Sequence, residues 1–286
     1  MSRTKWLLLA LVGVLILALA TGCGGGDKKD AAKAKYIRYV VGAEPETLDP
    51  RKMSGVPEHR TACQLFEGLT THGADGTIVP GAAEKWTVSP DGKVYTFTIR
   101  ANAKWSNGDP VTAQDFEYSW KKTLDPDFGA KYAEKLYFTA GAEDYNTKKA
   151  PADKVGIKSI NDKTLEVTLA EPAPFFPSVL VHSAFFPVNK KVDESNPKWV
   201  NDPAAFVGNG PFKMVSWTHQ SKIEMVKNPN YWDAANVKME KLDILLTDND
   251  STALSMYDGN QADILIDNIP PTDRKRLMKE GKVKTI

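Results

Sequence analysis

The chain has 286 residues, of which 42% are hydrophobic and 26% are charged, and its formal net charge at pH 7 is +1. Such values are typical of a soluble globular protein with one large or two modest domains. The balanced charge argues against nucleic-acid binding, which depends on a strongly basic surface.

The first two dozen residues predict a secretory signal peptide over residues 1–22. Two basic residues precede an apolar run of about 15 residues, and small residues close it. The run is shorter than the ~20 residues that a membrane-spanning helix requires. Cys23 directly follows Ala20-Thr21-Gly22, which resembles the lipobox of bacterial lipoproteins. That resemblance implies cleavage before Cys23 and a lipid on its thiol; the alternative is an ordinary signal peptide with a coincidental cysteine.

Residues 23–35 predict a flexible tether between the lipid and the folded body. They consist of glycines, alanines and charged residues, which bury almost no apolar surface. Removal of residues 1–22 takes away Arg3 and Lys5 and no acid, so the charge changes from +1 to −1. Cys63 would then be a single thiol, and we expect it to be buried as a small hydrophobic residue.

From residue 36 onward the sequence carries signals for both strands and helices, which indicates a mixed α/β or α+β protein. Alternating apolar residues and turn motifs mark the strands, and Thr112 with Asp115 three residues later resembles a helix capping box. The predicted elements are strand 36–42, helix 58–67, strand 94–100, a helix from Thr112 to Asp125, the hairpins 155–160 with 164–169 and 212–217 with 222–227, strand 241–247, helix 251–257 and strand 263–266. The last strand, helix and strand predict an α/β unit with a crossover.

Motifs for catalysis are missing from the sequence. There is no His-Glu-x-x-His pair, no Gly-x-Ser-x-Gly elbow and no Gly-x-x-x-x-Gly-Lys phosphate loop. Asp248-Asn249-Asp250 begins like a calcium loop, but Ala253 stands where that loop requires glycine. We therefore predict a protein that is not an enzyme and that carries no metal or cofactor.

The four histidines are scattered, so no ligand cluster is predicted from them. We expect His59 on the surface of a helix, His182 hydrogen-bonded in the core, and His72 and His219 beside turns. Several aromatic residues fall in predicted loops, where they either pack hairpins onto helices or line a ligand cleft. Packing is the expectation for most of this set, which comprises Trp86, Trp105, Trp199, Trp217, Tyr231 and Trp232.

Three sequence blocks, 80–86, 89–100 and 104–116, resemble the characteristic segment of the extracytoplasmic solute-binding proteins of peptide and nickel ABC transporters, family 5. They read Pro-Gly-Ala-Ala-Glu-Lys-Trp, Ser-Pro-Asp-Gly-Lys-Val-Tyr-Thr-Phe-Thr-Ile-Arg and Lys-Trp-Ser-Asn-Gly-Asp-Pro-Val-Thr-Ala-Gln-Asp-Phe. Further motifs, at 55–58, 65–69, 118–120, 164–169, 209–212 and 228–232, resemble the oligopeptide-binding branch.

The resemblance implies a mixed α/β fold with two lobes around a cleft. Residues 36–66 with 190–286 would form the first lobe, and residues 67–189 an inserted extra domain. Family members are nearly twice as long, so we expect the chain to be an amino-terminal portion, with the second lobe following residue 286. That lobe would carry the acidic partner of the ligand's amino terminus.

The resemblance also assigns a site and a function. Ser54, Gly55 and Val56 stand where the family pairs its backbone with an extended peptide, and Tyr132 matches a tyrosine beside the ligand pocket. The implied function is a lipid-anchored, extracytoplasmic and monomeric protein that delivers oligopeptides to the permease subunits of an ABC transporter. Alternatives within the family are binders of dipeptides, nickel chelates, haem or sugars. Outside it, a secreted lipoprotein hydrolase and a non-functional gene fragment remain open.

Overall fold

Residues 35–266 and 269–283, which the computed structural model describes, form three β-sheets with helices between and around them. The strands are β1 (Tyr36–Gly42), β2 (Thr70–His72), β3 (Ile78–Pro80), β4 (Ala83–Val88), β5 (Val94–Ile99), β6 (Ile157–Asn161), β7 (Thr164–Thr168), β8 (Phe212–Thr218), β9 (Lys222–Lys227), β10 (Lys241–Leu246) and β11 (Ile264–Leu265). The α-helices are α1 (Val56–Leu65), α2 (Ala113–Leu124), α3 (Ala142–Asn146), α4 (Phe176–Val179), α5 (Lys190–Ser195), α6 (Asp250–Asp258) and α7 (Pro271–Lys279). Short 3-10 turns occupy Ala133–Leu136, Ala152–Lys154, Ser183–Phe185, Trp199–Asn201 and Ala234–Asn236.

The five-stranded sheet has the order β11-β1-β10-β9-β8. β1 lies between β10 and β11 and runs parallel to both, whereas β9 pairs antiparallel with β10 and with β8. Parallel neighbours need a crossover connection, and α6 provides it between β10 and β11. Ala253 of α6 packs on Val40 and Leu245 of the sheet. The predicted α/β unit is therefore confirmed, and with it the mixed α/β class.

The four-stranded antiparallel sheet has the order β4-β5-β7-β6 and packs against α2. Tyr95, Phe97 and Ile99 alternate along β5 and are all buried, as the period-two pattern predicts. The predicted capping box is present at the start of α2. The Asp115 backbone N–H donates to Thr112 Oγ1 at 3.3 Å, and the Thr112 N–H donates to Asp115 Oδ2 at 2.9 Å.

Two local expectations are wrong in detail. The first helix covers Val56–Leu65 instead of 58–67, because Pro57 suits the first turn, where its missing N–H costs nothing. Cys63 is half-buried, since it lies on the face of α1 that borders a small cavity.

The predicted signal peptide, Cys23 and all of the tether up to residue 34 lie outside the described residues. Within residues 35–266 and 269–283, none of the helices combines the length and the apolar character that a membrane crossing requires.

A buried ionic cluster joins the segment before α1 to α5. Arg51 is 3% exposed, and its guanidinium donates to both carboxylate oxygens of Asp49 and both of Asp193, each at 2.8 Å. Asp193 also accepts from the Tyr118 hydroxyl at 2.6 Å and from Trp199 Nε1 at 2.8 Å. Burial opposes ionisation of Asp193, but the bonds from Arg51, Tyr118 and Trp199 outweigh it and lower the pKa of this carboxyl to about 2.

The substitution Arg51→Met tests this cluster, because it leaves the carboxylates of Asp49 and Asp193 buried without their cation. Removal of one partner from a buried ion pair costs about 3–5 kcal/mol, and we expect that loss in the free energy of unfolding measured by urea denaturation. The matched control is Lys148→Met, which removes an exposed partner of Asp127 and should leave the free energy of unfolding nearly unchanged. Equal losses in both variants would contradict the assigned role of Arg51.

Candidate ligand-binding site

The loop Ser54-Gly55-Val56 is fixed at both of its ends. On one side a turn closes on Asp49, whose carbonyl accepts the backbone N–H groups of Lys52 and Met53 at 2.9 and 3.2 Å. On the other side Gly55 caps α1 with an extended backbone.

A side chain at position 55 would require the Glu58 carboxyl to move. A Cβ atom there would lie 1.9 Å from Oε2 of Glu58, a residue that is itself 5% exposed. The Glu58 carboxyl therefore packs directly against the backbone of the loop.

Tyr132 and the loop, distant in the sequence, meet in the structure. The Tyr132 hydroxyl donates a hydrogen bond of 2.8 Å to the Ser54 carbonyl oxygen. Both residues line a cavity of about 200 Å³, whose full lining is Met53, Ser54, Gly55, Val56, His59, Tyr132, His182 and Ser183. The four residues expected at a ligand site therefore lie together, whereas their contact with a ligand stays a prediction.

Two histidines form part of the cavity wall, and the sequence expectations for both need correction. His59 is not a surface residue: its ring is half-buried and stacks on His182 with the centroids 5.6 Å apart. His182 is also half-buried, not a core residue, and its Nδ1 accepts the backbone N–H of Ala184 at 3.1 Å. Burial, His59 and Lys135 together lower the pKa of His182 to about 4, so its ring is neutral at pH 7.

The aromatic residues expected in loops lie away from this cavity, and two of them, Trp86 and Trp217, lie in strands β4 and β8 instead. Trp105 and Trp199 are fully buried, and Trp86 packs on Phe97. Trp217 Nε1 donates to Glu44 Oε1 at 3.1 Å. The expectation that most of them serve packing is therefore confirmed.

Tyr231 and Trp232 hold a buried carboxyl. The Tyr231 hydroxyl donates to Glu67 Oε1 at 2.5 Å, and Trp232 Nε1 donates to Glu67 Oε2 at 2.6 Å. The Arg100 guanidinium lies 3.6 Å from the centroid of a Trp232 ring. Burial is the largest influence on Glu67, and although the two hydrogen bonds oppose it, the pKa rises to about 7.

The described part of the chain contains no candidate metal-binding site. Among residues 35–266 and 269–283 no three His, Cys, Asp or Glu side chains are arranged to hold a metal ion. In the segment that begins like a calcium loop, Asn249 Oδ1 accepts the Thr252 N–H at 2.8 Å and caps α6. Asn249 therefore has a local structural role at the start of α6.

Sequence reasoning missed Met53, His59, His182 and Ser183 as members of the cavity wall. The positions of Met53 and His59 beside the loop gave a usable signal, because α1 begins at Val56 and its first turn carries His59 back toward the loop. Nothing near His182 points to residue 59, so that pairing depends on the tertiary fold.

Comparison with known proteins gives a family match and long alignments. The model described as "Bacterial extracellular solute-binding proteins, family 5 Middle" matches residues 77–285. The oligopeptide-binding protein OppA of Bacillus subtilis is 39% identical over 98% of this chain and 53% of its own length. The dipeptide-binding protein DppE of the same organism is 43% identical over 89% of this chain and 47% of its own length.

Solved structures agree with these alignments. Haemophilus influenzae OppA in complex with RPPGFSPFR superposes with a TM-score of 0.84 at 37% identity, covering 87% of this chain and 49% of that one. The chain therefore spans about half the length of the relatives that it matches.

The raised pKa of Glu67 predicts a pH dependence of stability. Because the folded state holds the proton more tightly than the unfolded chain, the free energy of unfolding should fall as pH rises from about 4.5 to 7 and then level off. The total loss should be about 3 kcal/mol, and Glu67→Gln should remove it. Urea denaturation over this pH range measures the difference between the two proteins.

The control for that experiment is Glu84→Gln, because Glu84 is an exposed carboxyl on β4. The free energy of unfolding of this control should change with pH as it does in the unsubstituted protein. If Glu67→Gln showed the same pH dependence as the unsubstituted protein, the carboxyl at position 67 would not affect stability, and the assigned pKa would be wrong.

Proposed function

Because this chain belongs to family 5 of the bacterial extracellular solute-binding proteins, we propose that it captures peptides outside the cytoplasm for an ABC transporter. Family membership agrees with the prediction of a binding protein that is not an enzyme. The names of the relatives support peptides as the class of ligand, since they include oligopeptide-binding and dipeptide-binding proteins. The relatives are about twice as long, so the activity is proposed for the complete protein.

The observation that carries the proposal is the bond between the Tyr132 hydroxyl and the Ser54 carbonyl. It holds the loop Ser54-Gly55-Val56 at the edge of the cavity of about 200 Å³. We propose that an extended peptide follows this loop and pairs with its backbone, as in strand addition, while a ligand side chain enters the cavity. Main-chain pairing recognises any peptide, so it favours broad specificity.

The two larger sheets support a proposal about domain organisation. The strands of the five-stranded sheet all come from residues 36–66 and 190–286, and those of the four-stranded sheet all come from residues 67–189. We propose that the first set belongs to one lobe of the binding protein and the second to an extra domain inserted in it. The opposite wall of the cleft would belong to the part that the longer relatives have in addition.

We also propose how the protein reaches its site of action. Residues 1–22 would direct export, a lipid on Cys23 would anchor the protein, and the residues up to 35 would tether the body beside the permease. One acyl chain binds membranes only weakly, so stable attachment at Cys23 needs more than one. The body is proposed to act as a monomer on the outer face of the cell membrane or in the periplasm.

A dipeptide ligand is the second candidate, since the dipeptide-binding protein DppE is 43% identical to this chain. The two candidates differ in how far the ligand extends along the loop, and the length of captured peptides distinguishes them.

Mass spectrometry of co-purifying peptides tests the proposed function. We expect a full-length gene product to carry mixed short peptides and the 286 residues alone to carry none, because on the proposed domain organisation the opposite wall belongs to the part that the longer relatives have in addition. Lengths confined to two residues would favour the dipeptide candidate. A metal, haem or sugar in place of peptide would leave the family unchanged and contradict the proposed ligand.

The substitution Tyr132→Phe tests the proposed site in the full-length gene product. It keeps the ring and removes the hydrogen bond to Ser54. The observed conformation of the loop is then destabilised by about 0.5–1.5 kcal/mol, the net contribution of one hydrogen bond. We expect peptide affinity measured by calorimetry to fall between about 2-fold and 12-fold. Tyr137→Phe is the control: it removes a comparable bond to Asn146 away from the cavity. Unchanged affinity in Tyr132→Phe would reject the site.

A further inference from the structure

The helix α7 and the residues just after it carry a concentrated positive charge. Residues 271–283 contain five basic and two acidic residues, whereas the net charge of the whole chain is only +1. All five basic residues are exposed, and they are Arg274, Lys275, Arg276, Lys279 and Lys282. This local excess gives α7 a positive potential that the overall charge of the chain does not reveal.

The acids of this segment are gathered around one cation, Arg276. Its Nη2 lies 3.3 Å from Asp273 Oδ1, and its Nη1 lies 3.2 Å from Glu280 Oε1. Asp258 of α6 accepts a bond from the same guanidinium at 3.3 Å, and Glu280 also pairs with Lys282 at 2.8 Å. The negative charge near α7 is therefore concentrated on the side that Arg276 occupies.

A different side of α7 is basic and carries an exposed apolar side chain. Leu277 is 2% exposed and marks the side that faces the protein, whereas Met278 is 60% exposed. A repeat of about 3.6 residues per turn places Arg274, Lys275 and Lys279 on the same outward side as Met278. Within residues 35–266 and 269–283, these three cations have no ion-pair partner. We call these four outward residues the basic face of α7.

The end of the proposed tether lies at one edge of the five-stranded sheet. β1, β10 and β11 run parallel, so their amino ends share that edge. β1 begins there with Tyr36, directly after the tether. Asp263, which precedes β11, accepts two bonds from the Arg38 side chain, at 3.0 and 2.9 Å. The start of β11 is thereby fixed beside the start of β1.

Contacts with α6 bring α7 to the same edge. α6 ends at Asp258, five residues before Asp263, and Arg276 of α7 bonds to that end. Lys282 Nζ lies 5.8 Å from the centroid of the Tyr257 ring. The carboxyl half of α7 therefore lies near the point where the tether joins the folded body.

The tether limits how far this edge can move from a membrane. A flexible chain over residues 24–35 has a root-mean-square span of about 20 Å. On the proposed lipid at Cys23, the edge of the sheet beside α7 would stay within about that distance of the bilayer. The tether also contains four lysines and two aspartates, so it adds positive charge on the same side.

We propose that the basic face of α7 docks on an anionic lipid surface, with Arg274, Lys275 and Lys279 contacting lipid phosphates and Met278 entering the headgroup region. This contact goes beyond the proposed peptide capture and does not depend on it. Charge complementarity supports it, because each lysine or arginine near an anionic bilayer strengthens binding about fivefold. The apolar Met278 among the cations favours a bilayer as the partner. Docking would orient the body, which a flexible tether alone leaves free to rotate.

Vesicle co-sedimentation tests the proposal on the full-length gene product, made without residues 1–23 so that neither the apolar run nor a lipid contributes. We expect binding to vesicles of equal parts phosphatidylglycerol and phosphatidylcholine, and none to phosphatidylcholine alone. Binding should weaken as salt is raised, because salt screens charges at a surface. The triple variant Arg274→Gln, Lys275→Gln and Lys279→Gln should bind about 100-fold more weakly. Glutamine retains a high helix propensity, so α7 is expected to persist.

The matched control removes the same charge from exposed lysines in or beside the four-stranded sheet, through Lys85→Gln, Lys154→Gln and Lys158→Gln. It should bind almost as the unsubstituted protein does. Met278→Gln should weaken binding at every salt concentration, because it removes an apolar contact and no charge. Equal losses in the two triple variants, or equal binding to both kinds of vesicle, would overturn the docking surface. Failure of the unsubstituted protein to bind anionic vesicles would also overturn it, and would leave peptide capture untouched.

Discussion

The buried guanidinium of Arg51 is the interaction on which the candidate site depends. It lies three residues before Ser54 and joins Asp49, in the turn that leads into the loop, to Asp193 of α5. Asp193 in turn accepts from Tyr118 of α2, so one charge network connects the loop to two helices. A buried charge tolerates little displacement from its partners. Contacts with elements remote in the sequence therefore hold the loop in position.

Comparison of the buried carboxyls shows how their neighbours decide ionisation. Asp193 and Glu67 each accept strong hydrogen bonds from aromatic side chains, yet the pKa of the first is lowered to about 2 and that of the second is raised to about 7. Asp193 receives two bonds directly from a guanidinium, whereas Glu67 receives bonds only from neutral donors. Arg100 lies over Trp232 and does not touch the carboxyl. Asp193 is also only half-buried, whereas Glu67 is buried, so both the contact with a cation and the smaller burial favour ionisation of Asp193.

The sequence predicted those parts of the fold that depend on short-range chemistry. The capping box at Thr112, the alternation along β5 and the crossover through α6 need only neighbouring residues, and the structure contains all three. The pairing of His59 with His182 is a tertiary contact without a local signal, so pattern reasoning placed His59 on the surface. Tyr231 and Trp232 show the same limit, because their polar atoms are satisfied by Glu67, which lies far from them in the sequence.

The candidate site itself was predicted from family resemblance and not from residue chemistry. Ser54, Gly55 and Val56 carry no charge, and their expected contribution comes from the backbone, which every residue possesses. What distinguishes them is the conformation imposed by Glu58 against Gly55 and by Tyr132 on Ser54. A preformed loop of this kind lowers the ordering cost of binding, and such a cost cannot be read from residue types alone.

On the proposed domain organisation, one wall of the cleft does not hold a peptide tightly by itself. Affinity depends exponentially on free energy, so a complex of about 1 μM corresponds to about −8 kcal/mol, and half of that corresponds to about 1 mM. On the proposed function, the contacts of a preorganised loop therefore give measurable discrimination only when a second wall contributes comparable contacts. On the proposed function, the loop and the cavity set which peptides fit, and closure of the opposite wall sets how tightly they are held.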